Sequence, residues 1–98
     1  MSDYISKIFD ATRKIDDISL SLRSLSAAFY KTGNSEFGET LYRYGESLEK
    51  NSYIITRAVG EQSTKSLEDA QQATANVINT ALAMSKLEDQ KLPSNKVI

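Results

Sequence analysis

The stretch YISKIFDATRKIDDISLSLRSLSAAF, residues 4–29, decides the fold. Ile8, Ile15, Leu22 and Phe29 recur every seven residues, and Tyr4, Ala11, Ile18 and Leu25 form a second line with the same spacing. Lettered as a heptad, the first line takes every a position and the second every d position. That is the seam along which an α-helix packs against partner helices. The expectation is that all eight side chains are buried. Ser2 or Asp3 can cap this helix and Lys31 suits the negative end of its dipole, while Gly33 supplies the left-handed residue that stops it. A helix over residues 3–31 is roughly 43 Å long.

The next signals come at once. Asn34 or Ser35 can cap a second helix with Glu36 and Glu39 in its first turns, so Thr32-Gly33-Asn34-Ser35 reads as an αα-hairpin turn that makes two helices antiparallel neighbours. The second helix, over about 35–60, carries its apolar line on Phe37, Leu41, Tyr44, Leu48, Ile55 and Ala58, interrupted by Asn51. A lone polar residue on such a seam fixes register or oligomeric state more often than it binds a ligand.

Beyond Val59 the apolar phase slips and resumes as Leu67, Ala70, Thr74, Val77, Ala81 and Met84, widened by Ile78 and Leu82. Two accounts are open. In one, residues 60–64 are a link beginning at Gly60, and Ser66, with Asp69 three residues on, caps a third helix over about 65–90. In the other, the helix continues through Gly60 and the slip is a four-residue stutter. The capping residues favour the first. The fold class expected is all-α: an antiparallel hairpin plus a C-terminal helix, forming a three-helix or oligomeric bundle in a single domain. Helical signal fades after Leu87, and Leu92-Pro93 opens a flexible tail over 92–98.

Composition narrows function more by exclusion than by indication. The 98 residues include 12 basic and 13 acidic side chains, a balance that disfavours nucleic acid as a partner. Histidine and cysteine are both absent, which removes the usual general base, the thiolate nucleophile and the commonest metal ligands. No Glu-x-x-His pair exists for a carboxylate di-metal site, and Asp16-Asp17, being adjacent, point about 100° apart on a helix. The reading is therefore non-enzymatic, without catalytic residues, metal or cofactor. No apolar run approaches the ~20 residues that span a bilayer, and the N-terminus is not a signal peptide. A cytoplasmic protein is expected, although the lack of Cys is equally compatible with secretion that needs no disulfide.

Two sets of residues stand out as candidate surfaces. Arg43, Lys50 and Arg57 recur at seven, with Tyr53 among them. Together they suit a small anionic or nucleotide-like ligand, because Arg forks onto phosphate and Tyr stacks on bases. The competing reading is a solvated face paired with its own helix: Glu39 with Arg43, Glu46 with Lys50 and Glu61 with Lys65, leaving Arg57 without such a carboxylate. Gly38, Gly45 and Ser52 share another line and let a neighbouring backbone, of this chain or a second copy, approach closely. Phe9, Leu20 and Tyr30 are apolar positions off the first helix's seam, expected to be covered by a third helix or another subunit.

Three known groups share features with the chain. The small secreted helical hairpins with a Trp-x-Gly turn are similar in length and lack of Cys, and Tyr42 to Glu46 spells Tyr-x-x-x-Glu. Yet there is no Trp, and the turn here is Thr32-Gly33-Asn34. The membrane-bending crescent dimers are longer and carry a basic concave face. Phage-type helical oligomers that sequester nucleotides match in size and class alone. The expectation is thus a self-associating helical assembly or interaction protein, a homo-oligomer with a protein partner. The alternatives are a small-ligand binder with sites between subunits, of the nucleotide-sequestering kind, and a secreted helical-hairpin factor.

Overall fold

A computed structural model describes residues 2–91, with side chains described for 3–87; the proposed tail at 92–98 lies outside them. Three α-helices follow one another: α1 (Ser2–Lys31), α2 (Ser35–Glu61) and α3 (Thr64–Lys91). The last continues past Leu87, where the fading apolar pattern had placed its decline, because nothing before Pro93 forbids a helix.

The first turn closes as a Schellman motif. Gly33 sits at φ +86°, the Asn34 amide donates to the Phe29 carbonyl at 2.8 Å, and the Gly33 amide donates to the Tyr30 carbonyl at 3.1 Å. Asn34 holds the N-cap position of α2 without a side-chain capping bond. Phe29 and Phe37 meet edge-to-face across the turn, ring centroids 4.6 Å apart, and clamp the hairpin there.

The second break is two residues later than Gly60. Gly60 remains helical; α2 ends on Gln62, which takes the left-handed conformation (φ 51°) and donates its amide to Ala58 at 2.8 Å. Ser63, rather than Ser66, is the cap of α3. Its hydroxyl accepts from the Ser66 amide at 3.0 Å while the Ser66 hydroxyl accepts from the Ser63 amide at 3.0 Å, a reciprocal capping box with serine in the place usually held by Glu or Gln. The described residues therefore form three helices, not one stuttering pair.

Both outer helices pack on α2. Among the described residues the α1 and α3 backbones never approach within 8 Å, Cα to Cα. The α1–α2 contact does not run along the apolar ladder. It runs along Thr12, Ser19 and Ser26, also spaced by seven, which lie opposite Ser52, Gly45 and Gly38. Ser19 donates to the Gly45 carbonyl at 2.7 Å, Ser26 to the Gly38 carbonyl at 2.6 Å, and Ser52 to the Thr12 carbonyl at 3.2 Å. Small side chains let the two backbones close, and each buried hydroxyl finds a carbonyl across the gap.

This seam rotates the ladder. Of its eight residues only Leu22 is buried; Ile15 and Phe29 are half-buried, while Tyr4, Ile8, Ala11, Ile18 and Leu25 are exposed, Tyr4 at 71%, Ile18 at 47% and Leu25 at 49%. The expectation of a fully buried ladder is thus corrected. A seam of serines allows a closer helix approach than isoleucine would, and it takes the inward position. The core gathers Leu22, Leu41 and Leu48, with Ile15, Phe37, Tyr44, Val77 and Met84 packed around them.

The α2–α3 contact is more polar. Ala58 and Ala73 are buried in it. Asn51 donates to the Ser47 carbonyl at 2.7 Å and accepts from Asn76 at 3.1 Å, and Gln72 donates to Asn76 at 3.0 Å. Asn51 thus lies at a contact within the chain, where its amide pair sets α3 against α2 in one register.

Candidate interaction surface

With α1 and α3 both resting on α2 and apart from each other, a trough runs between them, floored by α2. One end is a hollow of about 640 Å³ lined by Tyr4, Ile8, Ile55, Val59, Leu67 and Thr74 among others. The other, of about 540 Å³, is lined by Leu25, Phe29, Phe37, Leu41, Ala81 and Met84. Between the hollows the core residues fill the floor. Exposed apolar side chains also run along both outer helices: Tyr4, Ala11, Ile18 and Leu25 on α1, and Leu67, Ile78 and Leu82 on α3.

Exposed apolar side chains scattered singly are ordinary, whereas a contiguous apolar strip marks a surface that another molecule covers. The seven-residue spacing of the α1 rim matches the repeat with which one helix packs against another along its length.

The remaining candidate residues lie elsewhere. Phe9 and Leu20 are exposed and, at 100° per residue, about opposite the rim line on α1. Tyr30 is exposed with its ring over Gly38, and its hydroxyl donates to Glu39 at 2.6 Å. Gly38, Gly45 and Ser52 are buried against α1 of the same chain, the first of the two partners that their spacing allowed.

Arg43, Lys50, Tyr53 and Arg57 divide between two shallow depressions on the α2–α3 side. Arg43 and Lys50 border one with Asn51 and Asn76, and Tyr53 and Arg57 border the other with Lys65 and Ser66. Arg43 is paired with Glu39 at 3.1 Å, as its spacing implied. Arg57 does have a carboxylate: Glu61, four residues ahead, at 2.8 Å, which raises the guanidinium pKa further. The expected Glu61–Lys65 pair is replaced by this one because the helix ends between them. Glu46 and Lys50 do not come within ion-pair distance. Arg23, which no sequence pattern singled out, bridges to Glu49 at 2.8 Å and lies 5.6 Å over the Tyr42 ring.

Glu39 is the most connected charge on this face. Hydrogen bonds from Tyr30 and Arg43 hold its carboxyl below the usual carboxylate range, and the same bond to Glu39 raises the Tyr30 hydroxyl. A lowered carboxyl contributes stability above its unfolded pKa and loses it as pH falls through the folded value; a raised phenol loses its contribution only as pH rises through its own folded value. Thermal melts are therefore expected to show a plateau around neutrality with losses on both sides. Glu39→Gln is expected to flatten the acid limb, and an unchanged limb would contradict the assignment.

Among the described residues, no helix is long and apolar enough to cross a membrane, and no cluster of three acidic side chains could hold a metal ion. Comparison with protein families, with curated proteins and with solved structures finds no match.

Proposed function

We propose that this protein is a non-enzymatic helical assembly protein that works by self-association and by binding a protein partner, with the trough between α1 and α3 as its working surface. The carrying observation is that two largely apolar hollows, one lined by Tyr4 and Leu67 and the other by Leu25 and Met84, both open between α1 and α3. A net charge of −1 offers little general repulsion between copies.

Binding rather than catalysis fits the residue supply, since the chain has neither histidine nor cysteine to act as base or nucleophile. A free trough also gives α3 a reason for its apolar outer residues, which its polar contact with α2 does not require.

The test is a paired substitution on the rims. Ile18→Glu with Ile78→Glu puts a charge on each side of the trough at positions already exposed, so the monomer fold is expected to keep its helical circular dichroism. Multi-angle light scattering should report an oligomer for the parent and a monomer for the variant. Equal masses for the two would refute the trough as the surface of association.

A further inference from the structure

Resting on that reading, we infer that the first occupant of the trough is a second copy of this chain, docked with its α1 antiparallel to α1 about a two-fold axis level with Thr12. The argument begins with the outer flank of the α1 rim. Lys7, Asp10, Lys14 and Asp17 line that flank with alternating sign. All four are exposed, and none joins an ion pair within the described chain, although their spacings of three and four would permit it.

Alternating charge is self-complementary in one direction only. Two α1 helices laid parallel and in register set like against like. Laid antiparallel, the order reverses, and a two-fold at Thr12 sets Lys7 against Asp17 of the partner subunit and Asp10 against Lys14 of the partner subunit, each pair occurring twice. The rim agrees with this register to within about one residue: Ala11, its smallest member, falls beside the axis where the helices approach closest, and Tyr4 falls near Ile18 of the partner subunit.

An independent check comes from α3. Thr12 is level with Ser52 through their hydrogen bond, and the Asn51–Asn76 pair carries that level across to Ala75. The same axis then runs α3 antiparallel to its copy about Ala75, which sets Leu67 within one residue of Leu82 of the partner subunit. Both are exposed, at 51% and 57%. One axis thus pairs the charges of α1 and the leucines of α3. On α1 the hollow's residues Leu25 and Phe29 fall beyond the overlap, at each end of the dimer, whereas its α3 residue Met84 lies opposite Ser66 of the partner subunit.

Charge swapping tests the register. Lys7→Asp with Lys14→Asp makes the flank uniformly acidic, and Asp10→Lys with Asp17→Lys makes it uniformly basic. By sedimentation equilibrium each variant alone is expected to dimerise at least about tenfold more weakly than the parent, and an equimolar mixture to recover parental affinity as a heterodimer. Damage to the helix itself would weaken both variants without recovery on mixing. Variants as tight as the parent, or weak variants that do not recover together, would overturn the antiparallel α1 pairing and leave self-association standing. A monomeric parent would overturn both.

Discussion

Gly38→Ala is expected to lower the melting temperature, whereas Gly60→Ala in the same helix raises it. A Cβ at Gly38 would stand 2.9 Å from the backbone carbonyl oxygen of Ser26 and 3.1 Å from the Tyr30 ring. The carbonyl belongs to the main chain of α1 and cannot swing aside, so the two helices must part at their tightest point. Overpacking of this kind costs about 1–3 kcal/mol, and parting also stretches the 2.6 Å bond from Ser26 to the Gly38 carbonyl. Alanine returns up to about 1 kcal/mol in helix propensity. The net loss, about 1–2 kcal/mol, corresponds to a fall of roughly 4–8 °C per kcal/mol for a domain this small. At Gly60 nothing lies within 4 Å of the added methyl, so the propensity gain acts alone. If both variants moved in the same direction by thermal circular dichroism, the serine–glycine seam would not be what holds α1 to α2.

Leu48→Ala has the larger expected effect. Leu48 is 4% exposed and belongs to a buried set of only three leucines, at the level where α1 and α3 both lean on α2. Truncating a buried leucine costs about 2–5 kcal/mol, with the upper part of the range where the walls cannot collapse. Here the walls are helices pinned elsewhere by the Ser19–Gly45 bond on one side and the Asn51–Asn76 pair on the other. Against a total of about 5–15 kcal/mol for a typical domain, that is enough to leave a substantial fraction unfolded near body temperature. Chemical denaturation should show the loss as a reduced midpoint. A change below about 1 kcal/mol would mean that the leucine cluster is not the centre of the fold.

How far the sequence speaks for the structure differs from element to element. The hairpin turn was readable because Gly33 is the residue that a Schellman stop needs, and helix capping and charge signals flank it on both sides. The second break was only half readable. A glycine at residue 60 drew attention, but the left-handed residue is Gln62, a position where the fold overrides the preference for glycine. The cap, Ser63, pairs with a serine instead of the acid that the usual pattern seeks.

The candidate surface was legible as pattern and misassigned as burial. Two heptad lines on α1 competed for the inward position, Ile8-Ile15-Leu22-Phe29 and Thr12-Ser19-Ser26. Hydrophobicity alone favours the first. What decides is complementarity with Gly38, Gly45 and Ser52: a serine line supplies hydroxyl donors for the carbonyls that a glycine line leaves open, and isoleucine cannot. The candidate cationic strip failed to converge for a related reason: recurrence at seven aligns Arg43, Lys50 and Arg57 along one helix, but the packing of α3 splits their surroundings into two depressions, and local carboxylates engage the two arginines.

The proposed self-association rests on the outward turn of Tyr4, Ala11, Ile18 and Leu25, which leaves these side chains exposed. The most direct test is the mass of the unmodified protein in solution. Sedimentation equilibrium at tens of micromolar is expected to return twice the 10.9 kDa chain mass, falling towards the single chain on dilution. A mass of 10.9 kDa throughout, with no dependence on concentration, would contradict the account.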